Sequence, residues 1–267
     1  MKKRNGPSFI SEMAGHMPPV RGLLPLALLL VAWQALHAGS IKSPFFPPPS
    51  AWWTGLTQLA ASGRLASASL ATMETIIAGL LLAALFGALL GILIGVSPLA
   101  RRALGPLLEF CRAMPPPAIV PLAILFLGYD ERMKLTIVTI SAMWPVLLNT
   151  SSAVERIHPI LLDVAASFRL STADRIRRVI FPATVPAILL GLRIALPLTI
   201  VLTLLVEILT SIEGVGALMI SAQRNFQSAQ VYGLLAYVGL FGFLLNNAFT
   251  LIEGVILRRW PPRSLSI

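Results

Sequence analysis

The side chains able to do chemistry are few, and their types narrow the possibilities. His16, His37 and His158 are scattered and give no metal-ligating spacing. The single cysteine, Cys111, can make neither an intrachain disulfide nor a Cys-based zinc site. The aspartates Asp130, Asp163 and Asp174 fall between apolar runs, so no intramembrane aspartyl pair is formed. There is no Gly-x-x-x-x-Gly-Lys phosphate loop and no His-Glu-x-x-His pair. Bond chemistry, ATP hydrolysis included, is therefore not expected of this chain, and no cofactor is implied. What remains is charge placed in an apolar background. Glu74, Glu109, Arg112, Arg193, Glu207 and Glu253 stand inside apolar stretches, mostly within a few turns of an end, where they can snorkel to water. Arg112 follows Glu109 by three residues, close enough to pair on one helix face. The densest charge is an arginine-rich island, Asp163 to Pro182.

The elements that carry these groups follow from composition. Hydrophobic residues make up 56% and charged residues 12%, with mean hydropathy +0.82. A soluble domain carries about 25% charged residues, so the solvent here is largely lipid. Net charge is +10, but it lies between apolar runs and not on one face, which argues against nucleic acid. The chain is expected to be an all-α integral membrane protein with six spans. These are roughly 22–38, 69–96, 104–127, 135–152, 186–209 and 231–257, each near the 20 residues a bilayer needs. That gives a tail 1–21, one membrane domain 22–257 and a tail 258–267. The basic start Met1-Lys2-Lys3-Arg4 is followed by an apolar run too late for a signal peptide, so the first span reads as an anchor. With the N-terminus in the cytoplasm, the inner segments hold fourteen Lys/Arg residues. The outer ones hold five: Lys42, Arg64, Arg132, Lys134 and Arg224. This asymmetry places both termini and the island inside.

Three details of the spans have physical content. Gly79, Ala83, Gly87, Gly91 and Gly95 put small residues every four positions, a face built for close helix packing. Met114-Pro115-Pro116-Pro117-Ala118-Ile119-Val120-Pro121 cannot be regular helix. It reads either as a kink buried between helices or as a broken helix lining a pathway through Pro117 and Pro121. Glu207 reads either as an interfacial carboxylate with a local partner or as part of a gate. In the second reading it acts with Gly214, Gly216 and the re-entrant-looking stretch to Ala222.

The island itself suggests two short helices. Pro159 suits the first turn of one, about Ile160 to Phe168. Ser171-x-x-Asp174 is a capping-box pattern that starts the second. There Ala173, Ile176, Val179 and Ile180 share one face and Arg175, Arg177 and Arg178 the other; Pro182 is expected to stop it and Pro186 to open the next span. Such a helix suits anionic headgroups, and it suits a protein partner.

The stretch resembles the cytoplasmic EAA loop of bacterial ABC-importer permeases. Asp163-Val164-Ala165 stands at its acidic start and Val179-Ile180-Phe181-Pro182 at its close. The likeness extends along the chain. Phe46-Pro47-Pro48-Pro49 follows the first span. Pro115, Ala118, Pro121-Leu122, Phe126, Gly128 and Lys134 mark the third-span region. Gly191-Leu192-Arg193, Glu207, Gly214-Val215-Gly216, Glu253 and Trp260 complete it. Together these resemble the nitrate/sulfonate/taurine-type subfamily. The chain departs from the pattern where the loop glycine becomes Arg169, the glutamate Asp163 and one alanine Val164. The resemblance implies a multi-pass permease of the bacterial inner membrane with no ATPase site of its own. Its partners would be cytoplasmic ATP-hydrolysing subunits, an extracytoplasmic substrate-binding protein and a second permease copy, within the lipid bilayer. It implies an ATPase-coupling loop over 159–182 in which Asp163, Ala165, Arg169, Ser171, Ala173, Ile176, Arg177, Ile180 and Pro182 take part. The cargo would be a small solute such as a sulfonate or nitrate. An ATP-independent secondary transporter is the alternative. It would show internal repeats and mid-membrane ionisable groups. A membrane-anchored assembly factor is a third reading, with no need of the proline-broken span.

Overall fold

A computed structural model describes residues 23–39, 43–258 and 260. The tail 1–21 and most of the tail 258–267 lie outside the described residues. The helices run α1 Leu23–Gly39, α2 Pro49–Ala61, α3 Arg64–Val96, α4 Pro98–Ala113, α5 Pro116–Leu127 and α6 Glu131–Glu155. They continue α7 Pro159–Ser167, α8 Thr172–Arg175, α9 Phe181–Thr210, α10 Val215–Arg224 and α11 Ser228–Leu257. A widened five-residue turn, Ile176–Ile180, joins α8 to α9. The starts follow local rules. Ser97 caps α4 by accepting from the Ala100 amide at 3.2 Å, with Pro98 next, and Asp130 caps α6 by accepting from the Met133 amide at 3.0 Å.

The core is a three-helix layer in which α6 packs between α3 and α9. The small-residue ladder of α3 is what allows it. Gly79, Gly87, Gly91 and Gly95 face Val138, Val146, Thr150 and Val154 in turn, so the two helices are parallel and in register. A Cβ at Gly91 would stand 2.7 Å from the Leu147 carbonyl oxygen, and one at Gly95 2.6 Å from Val154 Cβ. Ala83 and Ala142, both fully buried, continue the seam. Gly191 of α9 does the same on the other side of α6, where a Cβ would meet Val146 Cα at 2.7 Å.

Around this layer sit the outer helices. α11 packs on α2 and α10. α1 meets α2 through Trp33 edge-on to Trp52 at 5.2 Å, and Trp52 stacks on Tyr232 of α11 at 5.4 Å. Gln34 donates to Ser50 Oγ at 3.3 Å and accepts from the Ser50 amide at 3.1 Å. Of the adjacent Trp52 and Trp53, the first packs inward on Trp33 and Tyr232, while the second is exposed.

Among the described residues, four helical segments are long and apolar enough to cross a membrane: α3, α6, α11 and the unbroken run Thr172–Thr210. α1 is a shorter apolar helix of 17 residues. The expected third span, 104–127, is not one helix. It breaks at Met114–Pro115, and α4 and α5 meet at 97°. Successive prolines withdraw the amides a helix would need, so the chain turns a corner. The expected stop at Pro182 is also corrected. The helix runs on through it, because the widened turn moves the carbonyl that a proline ring would otherwise strike. The expected Glu109–Arg112 pair is not formed among the described ion pairs. Both side chains stand on the exposed face of α4.

Candidate functional site

Two sites stand at opposite ends of the three-helix layer. The first is the loop from Glu155 to α9. His158 caps α7 through its ring nitrogen, which accepts from the Ile160 amide at 3.3 Å, and Pro159 fills the first turn. α7 ends in a Schellman pattern: the Leu170 amide bonds the Ala165 carbonyl at 3.1 Å and the Arg169 amide the Ala166 carbonyl at 2.8 Å. Arg169 sits at the position that wants glycine, with φ of 49°. The sequence departs from the glycine pattern while the backbone keeps its left-handed geometry, at a cost of about 1 kcal/mol. Ser171 then completes a cap, accepting from the Asp174 amide at 3.2 Å and donating to its carboxylate at 2.8 Å.

Burial separates the loop residues into two sets. Ala165 and Ile180 are buried, and Ile176 packs with Leu161 and Leu162 against Ile92, Val154 and Ile157. These residues fix the loop to the ends of α3 and α6. The apolar face of the second loop helix thus turns at least partly toward the spans: Ile180 is buried and Ile176 half-buried, which leaves little of it for a protein cleft or for the membrane. Asp163, Arg169, Ser171, Ala173 and Arg177 are exposed, and Pro182 is half-buried. The free apolar stripe lies instead on α7, where Ile160, Val164 and Phe168 repeat every four residues at 61%, 46% and 76% exposure. Sequence reasoning passed over this stripe, although its spacing was visible.

The second site is a buried polar network at the other end. Glu207, three residues from the end of α9, is fully buried. Its carboxylate accepts from Thr72 Oγ1 on α3 at 2.9 Å and from the Gly216 amide on α10 at 2.9 Å. Lys134 on α6, also fully buried, lies 3.5 Å from it. The lysine also donates to the Glu213 carbonyl at 2.9 Å and pairs with Glu131 at 2.8 Å. Thr72 accepts in turn from the Val215 amide at 2.9 Å. The glycines are required by close approach: a Cβ at Gly214 would collide with the Glu207 carboxylate, and one at Gly216 would stand 2.7 Å from Glu207 Cβ.

This geometry overturns two expectations. Glu207 is not an interfacial carboxylate reaching water. It ties α3, α6, α9 and α10 together. Lys134 is not a loop charge and carries no topological information, because it is the counter-ion of this network. The re-entrant-looking stretch to Ala222 forms the helix α10. Pro117 is half-buried and Pro121 exposed on α5. The face of α5 that packs uses Val120 and Ala123 against Met133, Ile137, Val206 and Ile212.

Comparison with known proteins agrees with this architecture. Residues 83–260 match the model of the family described as "binding-protein-dependent transport system inner membrane component". The bicarbonate transport system permease protein of Synechocystis sp. is 31% identical, over 90% of this chain and 88% of that protein. The nitrate import permease protein of Leptolyngbya laminosa is 31% identical over 91% and 90%. An inward-facing methionine ABC transporter superposes with TM-score 0.61 over 74% of this chain and 98% of that one; at 15% identity the likeness is one of fold.

Proposed function

The chain belongs to the family of binding-protein-dependent transport system inner membrane components, and from that premise we propose how it works. It is the permease subunit of an ATP-binding-cassette importer. In our reading it crosses the membrane six times, α1 and the bent α4–α5 pair supplying the two crossings beyond the four long segments. Both termini and the 156–180 loop face the cytoplasm. Two copies form the pathway, each loop docks on an ATPase subunit, and a binding protein delivers cargo to the Glu207 end. The relatives' cargoes suggest a small anion such as nitrate, bicarbonate or a sulfonate.

One observation carries the docking assignment. α7 presents Ile160, Val164 and Phe168 outward while Ala165, Leu161, Ile176 and Ile180 hold the loop to the spans. A coupling element needs both: a face for the partner and a rigid root. The Glu207 network serves the outer gate as a clamp on the Gly214–Gly216 corner and does not touch solute itself. The test is co-purification with the ATPase subunit. Phe168→Asp changes only an exposed residue, so the permease should insert normally yet lose the ATPase and transport. Ala173→Trp should do the same, because overpacking a protein cleft costs roughly 1–3 kcal/mol, whereas Ala165→Asp should lose the ATPase by burying a carboxylate in the loop's own root. Retention of the ATPase by all three variants would remove the loop from the coupling role.

A further inference from the structure

We propose that Arg193 and Asn246 form an anion site inside the membrane, where Arg193 binds the negative charge of the passing solute. The proposal rests on the reading of the chain as an anion permease. Register sets the depth. α9 runs opposite to α6: Ile180 packs with Val154 at one end, and Val206 with Met133 at the other. Between them Gly191 meets Val146, nine residues from Glu155 and fifteen from Glu131. Arg193 lies two residues further along α9. Its backbone therefore stands about 16 Å from one end of α6 and about 20 Å from the other. An arginine at that depth is costly against hydrocarbon and marks a functional position by default. Its guanidinium has five donors. Among the described residues it makes one contact, with Glu253 of α11 at 3.5 Å. The Arg193 side chain stays 47% exposed and that of Glu253 only 10%. The acid is shielded, and the cation is open.

α11 supplies the second observation. Gly239, Gly242, Asn246, Thr250 and Glu253 fall within an arc of about 80° on an otherwise apolar helix. Beside that arc Phe241, Leu245 and Phe249 pack on Leu196 and Ile200 of α9. The open arc of α9 next to this contact holds Leu190, Arg193, Pro197 and Val201. Arg193 meets Glu253 and Pro182 meets Trp260, so the helices are antiparallel. Both arcs then turn to the same side of their seam. Asn246 is exposed there, and its carboxamide has no partner among the described residues. A polar arc on an uncovered side is stable where water reaches it. A half-open guanidinium beside a free amide offers the N–H donors an oxyanion needs. Nitrate, bicarbonate and sulfonates, the cargoes named for the relatives, are of that class.

The test uses the assembled importer, nucleotide-free in nanodiscs, with Cys111→Ser and one new cysteine. Leu190→Cys and Val201→Cys both replace exposed residues. Labelling is followed by permease mass with two aqueous methanethiosulfonates, one ending in a sulfonate and the other in a trimethylammonium. Leu190 is three residues from Arg193, about 6 Å away, where a unit charge in water alters each rate about threefold, in opposite directions. Arg193→Gln should therefore lower the sulfonate-to-ammonium rate ratio about tenfold at Leu190→Cys. Val201→Cys, about 12 Å away, should change little, because that exceeds the Debye length at about 0.15 M salt. Nitrate, bicarbonate or methanesulfonate should slow the sulfonate reagent at Leu190→Cys, relative to chloride at equal ionic strength. Arg193→Gln should remove that protection. A Leu190→Cys that reacts with neither aqueous reagent would mean that hydrocarbon, a lipid phosphate or protein covers this side, and would overturn the proposal. So would protection that survives Arg193→Gln, or protection by none of the three anions. Failure of the unlabelled importer to take up any of these anions would instead count against the cargo reading, and the labelling does not depend on uptake.

Discussion

Lys134→Met isolates the energetics of the buried network. The ammonium lies 3.5 Å from a Glu207 oxygen with both side chains fully buried. At the effective dielectric of about 20 that suits protein sites, two unit charges at that distance attract by about 5 kcal/mol. Removing one partner of such a pair typically costs about 3–5 kcal/mol, because the other charge is left buried and alone. The two figures agree, so Lys134→Met should lower stability by about 4 kcal/mol. For a chain of this size that is a fall on the order of 10 °C in Tm. The lost pair with Glu131, whose side chain is 58% exposed, adds little. Lys134→Met/Glu207→Gln should regain most of the loss, because it removes the charge and keeps the Thr72 and Gly216 bonds. The shortfall would reflect the Glu213 carbonyl that loses its donor. Thermal unfolding of the purified permease in detergent, followed by fluorescence-detected gel filtration, measures all three proteins. A single variant as stable as the parent, or a double variant no better than the single, would refute the reasoning.

Further outcomes are expected elsewhere. Glu207→Gln alone should reach the membrane and retain the ATPase subunit but fail in transport assays, because buried Lys134 loses its counter-charge and its tie from α6 to the α9–α10 corner loosens; wild-type transport would leave Glu207 with a structural role only. Gly79→Ala should destabilise by roughly 1–3 kcal/mol and be rescued by Val138→Ala, since a Cβ there meets the Val138 side chain at 2.8 Å and no backbone. Gly91→Ala should resist rescue by Thr150→Ser, because the Leu147 carbonyl oxygen stands 2.7 Å away; equal rescue of both would contradict the register. A reporter fused after Arg263 should behave as cytoplasmic and one inserted near Arg64 as external, and an external C-terminus would end the six-span reading.

How much of this was legible in the sequence depends on the range of the interaction. The α3 ladder was readable because small residues at every fourth position are a local pattern with one structural meaning. The Ser171 cap was readable for the same reason. The left-handed turn at Arg169 was visible only through the glycine that the resembling family carries there; an arginine alone gives no sign of positive φ. The Lys134–Glu207 pair joins residues 73 apart in sequence. Lys134 stands at the start of an apolar run, where a lysine looks like a loop charge, so nothing local marked it as buried. The docking stripe was missed because arginines drew attention to the second loop helix, whereas its isoleucines turn inward to Ile92 and Val154. The proline cluster announced a break but not its angle, which depends on what α4 and α5 each pack against.

The parallel seam between α3 and α6 has a mechanical consequence. Its contacts repeat at matched intervals from Gly79–Val138 to Gly95–Val154, each too close for either helix to slip past the other. α6 has 25 residues and is therefore about 37 Å long. The two helices behave as one stiff lever, rooted in the 156–180 loop at one end through Ile157 and Ile180 and in Glu207 at the other through Thr72 and Lys134. A displacement applied to the loop should arrive at the far end as a tilt. Compliance is expected at Pro145 within α6, which lacks a helical amide donor, and at the joints outside the lever: the corner at Met114–Pro115, the widened turn at Ile176–Ile180 and the bend between Ser211 and Gly214.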